Sequence, residues 1–294
     1  MTELPRTGWT KKEDAFLKKE YNKYSIKELS DKFGKKSSTV YNRANKLGLS
    51  HQAYNKIYMS KKSRKYGYND KFFDKIDSEE KAYFLGLLYA DDYNRECKGI
   101  VSISLHQKDI DILIRFKKAT ESEQPIGLYE DFRPGRGTKR AVLTFSSARM
   151  SRALALKGCF NKKSKRISFP LYLDRKLMRH FIRGFFDGDG SAFISNNKVT
   201  YKGNSYIAKQ AVASFISNTK FITELRVVIM LLSGVKHGSM SIDRRRENCI
   251  SIAFHSKNCI KMLDWLYSGT DLYMKRKYDT YKKLCTLNKG AKNG

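Results

Sequence analysis

The sequence predicts an α+β protein, two similar αββαββα units preceded by a small all-α unit. Three observations predict it. An apolar helical run ending in small residues and acids occurs twice, the same order of helical and alternating segments follows each copy, and two helix-start signatures open the chain.

The all-α unit spans 1–49. Thr10-Lys11-Lys12-Glu13 and Ser25-Ile26-Lys27-Glu28 fit capping boxes, in which a hydroxyl and a Glu satisfy each other's orphan amides at a helix start. The first helix carries Phe16, Leu17 and Tyr21, the second Ile26, Leu29 and Phe33, and Gly34 ends it. A third begins near Ser37 or Ser38, carries Val40, Ala44 and Leu47, and stops at Gly48. Three short helices with tight turns suggest a helix-turn-helix, and Trp9 to Asp14 resembles the start of Myb-like domains. In that geometry the third helix enters a major groove and shows Lys36, Ser38, Thr39, Tyr41, Asn42 and Arg43, side chains able to read bases. A helical accessory domain that binds protein is the plainer alternative.

Residues 50–76 read as a basic linker. Lys56, Lys61, Lys62, Arg64, Lys65 and Lys71 stand against Asp70, with Tyr54, Tyr58, Tyr66 and Tyr68 interleaved. That composition suits tracking along a nucleic-acid backbone or a solvated tether equally well.

The first αββαββα unit spans 77–172. Asp77-Ser78-Glu79-Glu80 offers a capping box for a helix containing Tyr83-Phe84-Leu85-Gly86-Leu87-Leu88-Tyr89-Ala90-Asp91-Asp92. Over 100–106, Val101, Ile103 and Leu105 alternate with Ser102, Ser104 and His106, the pattern of a half-buried strand. A helix over 109–120 follows, then strands near 126–132 and 140–145. The turn between them makes a hairpin with a basic tip, Arg133, Arg136, Lys139 and Arg140. A helix over 148–156 stops at Gly158, and a basic connector over 162–166 leads on.

The second unit, 173–294, repeats the order. Its motif helix starts near Asp174 and runs through Phe181-Ile182-Arg183-Gly184-Phe185-Phe186-Asp187-Gly188-Asp189-Gly190. A helix over 218–232, strands over 239–244 and 249–255 joined by a turn at Arg245-Arg246-Glu247-Asn248, with Arg244, Arg245 and Arg246 as expected DNA contacts, and a helix over 257–267 complete it. Phe145-Ser146-Ser147 matches Phe254-His255-Ser256 at an offset of 109, whereas the motif acids Asp91 and Asp189 are 98 apart. The 11 extra residues are expected to lengthen the hairpin that carries Asn196, Asn197, Lys198, Tyr201, Lys202 and Asn204, with Lys198 and Lys202 as its phosphate or base contacts.

Each motif places one Gly in its apolar run and an acid five residues later. A Gly inside a buried helix costs about 1 kcal/mol against Ala, so its recurrence at Gly86 and Gly184 predicts that two helix backbones cross there. Their C-terminal ends then emerge together and hold Asp91 and Asp189 side by side at two negative dipole ends. Repelling carboxylates in such a field make sense if divalent cations sit between them. Mg²⁺ suits the place, because it prefers oxygen ligands, keeps several waters and needs only one or two protein carboxylates.

The net charge is +30, from 59 Lys and Arg against 29 Asp and Glu, in a chain that is 40% apolar. So basic a chain repels itself unless a polyanion is near, and nucleic acid, whose binding releases counterions, is the first candidate. A membrane partner is not expected, since no apolar run reaches about 18 residues and the N-terminal stretch lacks a signal-peptide core. Five cysteines without a Cys-x-x-Cys pair read as thiols in a reducing compartment, the cytoplasm or an organelle matrix. Five scattered histidines support neither zinc nor Ser-His-Asp chemistry. An EF-hand counted from Asp187 would need Glu at its twelfth position, where Lys198 stands.

The two motifs resemble those of the LAGLIDADG homing endonucleases in their single-chain, two-motif form, aligning with residues 84–92 and 182–190. The first copy departs from the pattern, with Tyr89 where an acid is usual and Asp92 where Gly is usual; the eighth position is an acid in both. The resemblance spans about 77–284. It implies that Asp91 and Asp189 bind the catalytic metals, two or more Mg²⁺ ions, and that two sheets form a saddle along double-stranded DNA with one unit per half-site. Because the halves differ, the target is expected to be asymmetric. A free-standing monomeric endonuclease without an obligate protein partner is the expectation, since the ends lack splice-junction residues. Rivals are an RNA maturase that assists intron splicing and a non-cleaving DNA-binding regulator, in both of which the eighth-position acids could be lost.

Overall fold

The computed structural model describes residues 8–21, 23–49, 65–90, 93–130, 138–160, 167–201, 203–243 and 248–290. The chain divides into two compact units, Met1–Lys65 and Tyr66–Gly294.

In the first unit, α1 (Lys11–Glu20), α2 (Ile26–Phe33) and α3 (Ser37–Lys46) close around Leu17, Tyr21, Leu29, Val40 and Ala44. Both capping boxes form. Thr10 N–H donates to Glu13 Oε2 at 2.7 Å and Ser25 N–H to Glu28 Oε2 at 2.6 Å, with each hydroxyl accepting the reciprocal amide. Gly34 ends α2 in the left-handed region, at φ +59°, where a Cβ is disfavoured.

The second unit is built on two helices, α4 (Glu79–Ala90) and α7 (Arg175–Asp189). α4 is apolar on every side and buried from Ala82 to Tyr89, as expected of a helix at the centre of a core. After α4 come β1 (Tyr93–Arg95), β2 (Ile100–His106), α5 (Ile110–Ala119), β3 (Gly127–Glu130), β4 (Lys139–Ser146) and α6 (Ala148–Leu156). After α7 come β5 (Ser191–Tyr201), β6 (Asn204–Asn218), α8 (Thr219–Ser233), β7 (Ser239–Ile242), β8 (Cys249–His255) and α9 (Ser256–Tyr267). The order αββαββα therefore appears twice, and a last helix, α10 (Lys275–Gly290), follows.

Each copy forms one antiparallel four-stranded sheet, β1-β2-β4-β3 and β5-β6-β8-β7, so the corresponding strands take corresponding places. Strict alternation fixes the faces. Val101, Ile103 and Leu105 of β2, with Ala141, Leu143 and Phe145 of β4, point to the helices; Phe215, Ile252 and Phe254 do so in the second sheet. The 11 extra residues do lengthen a hairpin. β5 and β6 pair from Ser191↔Ser214 to Tyr201↔Asn204, whereas β1 pairs with β2 over three residues only.

Residues 66–76, assigned to the linker by composition, belong to the second unit. Phe72 and Phe73 are buried against Phe84 and Phe116, and Tyr68 stacks edge-on against Phe145 while its hydroxyl donates to Ser146 O at 2.6 Å. Charge density hid three aromatic anchors there. The cap of α4 also differs by one residue, because Ser78 Oγ accepts the Lys81 amide at 3.3 Å while Asp77 pairs with the Lys81 ammonium at 2.8 Å.

Candidate functional site

The two motif helices meet backbone to backbone at their glycines. A Cβ on Gly86 would lie 2.0 Å from Phe181 O and 2.9 Å from Phe185 N; one on Gly184 would lie 2.0 Å from Tyr83 O and 3.0 Å from Leu87 N. Each glycine faces the residue that precedes the other by three, so the crossing is nearly two-fold symmetric. One turn further, a Cβ on Gly188 would stand 2.4 Å from the Ala90 methyl. Ala90 and Gly188 each immediately precede a motif acid in the sequence. Asp189 is half-buried as the last residue of α7, at the negative end of the helix dipole. Asp91 lies outside the described residues.

Beside Asp189 stands a residue that sequence spacing did not single out. Lys277, on the first turn of α10, is 9% exposed; its ammonium donates to Gly190 O and lies 5.3 Å from the centre of the Phe186 ring. Burial and the neighbouring Arg276 push its pKa down to about 8 against the pull of Asp187, Asp189 and Asp109. At neutral pH it is a desolvated cation next to a motif acid. The signal that could have found it is weak, three successive cations at 275–277 where a helix start would favour acids.

A second buried cation lies deeper. Arg183 is fully buried, donates from Nε to Leu272 O at 2.8 Å and from Nη1 to Leu266 O at 3.2 Å, and lies 5.4 Å from the centre of the Tyr83 ring. Its Nη1 also meets His180 Nδ1 at 3.0 Å, which requires that nitrogen to be unprotonated. Burial and the two arginines 183 and 179 lower the His180 pKa to about 3, overriding Glu79, whose carboxylate lies 3.3 Å from Nε2. His180 is thus a neutral structural ring, lining a cleft of about 900 Å³ at the N-terminal ends of α4 and α7, the opposite ends from the acids.

The outward sheet faces carry many polar side chains, interrupted on the second sheet by exposed Phe193 opposite Val212. On the first sheet Ser102 and Thr144 hydroxyls meet at 2.9 Å, and Arg140 stands across from His106 and Tyr129. On the second, Asn197 donates to Gln210 at 3.2 Å and Ser241 meets Ser251 at 2.8 Å. Both faces offer the short hydroxyl and amide side chains that can bond base edges in a groove wide enough for a β-ribbon.

Other expected contact residues divide. Arg140 lies on the outward face, but Lys139 pairs opposite Glu130 in the register of buried Ala141 and binds the Glu130 carboxylate at 2.5 Å. Lys198 pairs with Ile207, one residue out of step with Asn197, and so takes the other face of the hairpin. In the first unit Lys36, Ser38, Tyr41 and Asn42 are exposed and Thr39 is half-buried. Arg43 is held by Asp14 through Nε at 2.7 Å and through Nη2, which ties α3 to α1 instead of leaving a base reader. Arg133, Arg136, Lys202, Arg244, Arg245 and Arg246 lie outside the described residues.

No family model matches this chain, and no curated protein matches it. Among solved structures it is similar to the I-SmaMI LAGLIDADG homing endonuclease bound to cleaved DNA, at 14% identity and a TM-score of 0.48, over 74% of this chain and 91% of that one. I-SmaMI bound to an uncleaved DNA target with calcium gives 13% and 0.47, over 74% and 92%. The LAGLIDADG meganuclease I-AabMI bound to uncleaved DNA gives 10% and 0.48, over 74% and 92%.

Proposed function

We propose that this chain is a site-specific double-strand DNA endonuclease that hydrolyses phosphodiester bonds where α4 and α7 end. The observation that carries the reading is the glycine-to-glycine crossing, which brings the ends of α4 and α7 together with buried Lys277 beside Asp189, while Asp91 follows the end of α4 in the sequence. The charge of +30 supplies the attraction to a polyanion.

The donor set fits a hard divalent cation. Asp189 offers a carboxylate oxygen at a negative helix end, the kind of hard donor such a cation prefers. Asp91 and Asp189 would hold Mg²⁺, which supplies Lewis-acid stabilisation of the phosphate and a more acidic water. The chain's own residues do the rest. The crossing would set the separation of the acids, and the Lys277 ammonium, denied bulk water, would stabilise negative charge gathering on the scissile phosphate. In the balanced reaction water oxygen joins phosphorus, the bond to the 3′ oxygen breaks, and that oxygen leaves as a hydroxyl with a proton from the water. Sheet faces with different side chains recognise different half-sites, and the exposed face of α3 adds a helix-turn-helix contact.

The direct test is Asp189→Asn. Cutting in Mg²⁺ should be lost while DNA binding supported by Ca²⁺ is retained. A variant that still cuts both strands removes Asp189 from the site, and wild type that binds DNA but never cuts it makes the chain a regulator.

A further inference from the structure

The sixth motif position differs between the copies, Tyr89 in the first and Asp187 in the second. Asp187 is fully buried, and three donors converge on its carboxylate: Tyr83 Oη at 2.8 Å, Tyr267 Oη at 2.7 Å and Met274 N at 2.8 Å. Met274 is the residue before α10, so the amide that Asp187 accepts belongs to the entry of that helix. The first turn then closes through Lys277 N–H to Met274 O at 3.0 Å, and the Lys277 side chain returns to Gly190 O, next to Asp189. The path from Asp187 to Met274, Lys277 and Gly190 is a closed circuit between two helices.

The first copy fills the same place differently. Tyr89 donates to Lys157 O, passing over Gly158, where φ is +91° and a Cβ would lie 2.2 Å from the phenol oxygen. At the offset of 109, Gly158 corresponds to Tyr267. One copy thus combines a short acid with a tyrosine from the end of α9, and the other a tyrosine with a glycine. Each pair fills the space, but only the second puts a carboxylate there.

We propose that Asp187 is a positioning residue for the centre built around Asp189. It fixes the start of α10 and thereby Lys277, while the centre around Asp91 is not set by a carboxylate at its sixth position. This rests on the endonuclease reading, and it makes the two strands of a target unequal in their dependence on Asp187.

The experiment compares wild type, Asp187→Asn, Tyr267→Phe and Lys277→Met on a duplex target whose strands carry different labels, with binding in Ca²⁺ and thermal unfolding measured alongside. Acylation of Lys277 by an amine reagent, read by mass spectrometry on the free protein, reports its position without any reaction. Asp187→Asn should slow one strand by about 10- to 100-fold, the cost of a misplacement near 1 Å, and nicked product should accumulate. Lys277→Met should slow the same strand, Ca²⁺-supported binding should hold, and Lys277 acylation should rise several-fold in Asp187→Asn. Equal slowing of both strands together with a lower melting temperature, or unchanged acylation, would overturn the proposal. If Asp187→Asn does not fold, Tyr267→Phe, which removes one of the three donors and keeps the ring, gives the same readings. Should wild type cut nothing, the endonuclease reading fails, and acylation alone decides whether Asp187 positions Lys277.

Discussion

Replacing Gly184 with Ala puts the helix crossing under direct test. In an open helix the change favours the helix by about 1 kcal/mol. Here the new Cβ would lie 2.0 Å from Tyr83 O, 2.9 Å from Tyr83 C and 3.0 Å from Leu87 N, against 3.4 Å for ordinary contact, so α4 and α7 must separate by at least about 1.4 Å. All three atoms are backbone, so no rotamer change relieves the clash. Overpacking of this kind costs about 1–3 kcal/mol or more, which reverses the sign expected from propensity. The displacement reaches Asp189, the last residue of α7, and the end of α4 at Ala90, which precedes Asp91 in the sequence. Urea unfolding should show Gly184→Ala less stable than wild type, and strand cutting should fall by about 100-fold at DNA concentrations that saturate binding. A variant as stable and as active as wild type would refute the crossing.

Lys277→Met removes a buried ammonium whose neutralisation burial already favours. Thermal stability should hold or rise while cutting falls by about 100-fold; a destabilised variant that cuts normally contradicts the site. His180, with its pKa lowered to about 3, binds protons in the unfolded chain but not in the folded one as pH drops below 6.5. Wild type should therefore lose stability relative to His180→Gln by up to about 1.4 kcal/mol per pH unit between 6.5 and 4, and a flat difference would argue for an exposed ring. Asp14→Asn frees Arg43 in the first unit, so amide exchange along α3 should quicken in the full chain with no change in cutting by the second unit.

What could be read in advance was local. The capping pairs Thr10–Glu13 and Ser25–Glu28, the alternation over 100–106 and the mismatch of two offsets each depend on sequence alone, and each sets an element in place. What escaped depends on partners far along the chain. α10 opens on Lys275, Arg276 and Lys277, cations at the positive end of a helix. That start is stabilised by Asp187 on its entry amide and by Asp109 on Arg276 at 2.7 Å, acids from two other helical segments. Lys277 was hidden for the same reason. The faces of Lys139 and Lys198 followed from strand register, and Arg43 was engaged by an acid 29 residues away, so composition alone could not place them.

The central claim is cleavage at one site by both motif acids. A pooled library of genomic and randomised duplexes, incubated with wild type, Asp91→Asn or Asp189→Asn in Mg²⁺ or in chelator and then read for cut ends, tests it most directly. The account predicts one long asymmetric sequence, cut on both strands by wild type in Mg²⁺ alone. Enrichment of bound DNA without cut ends, or cutting that survives both substitutions, would contradict it.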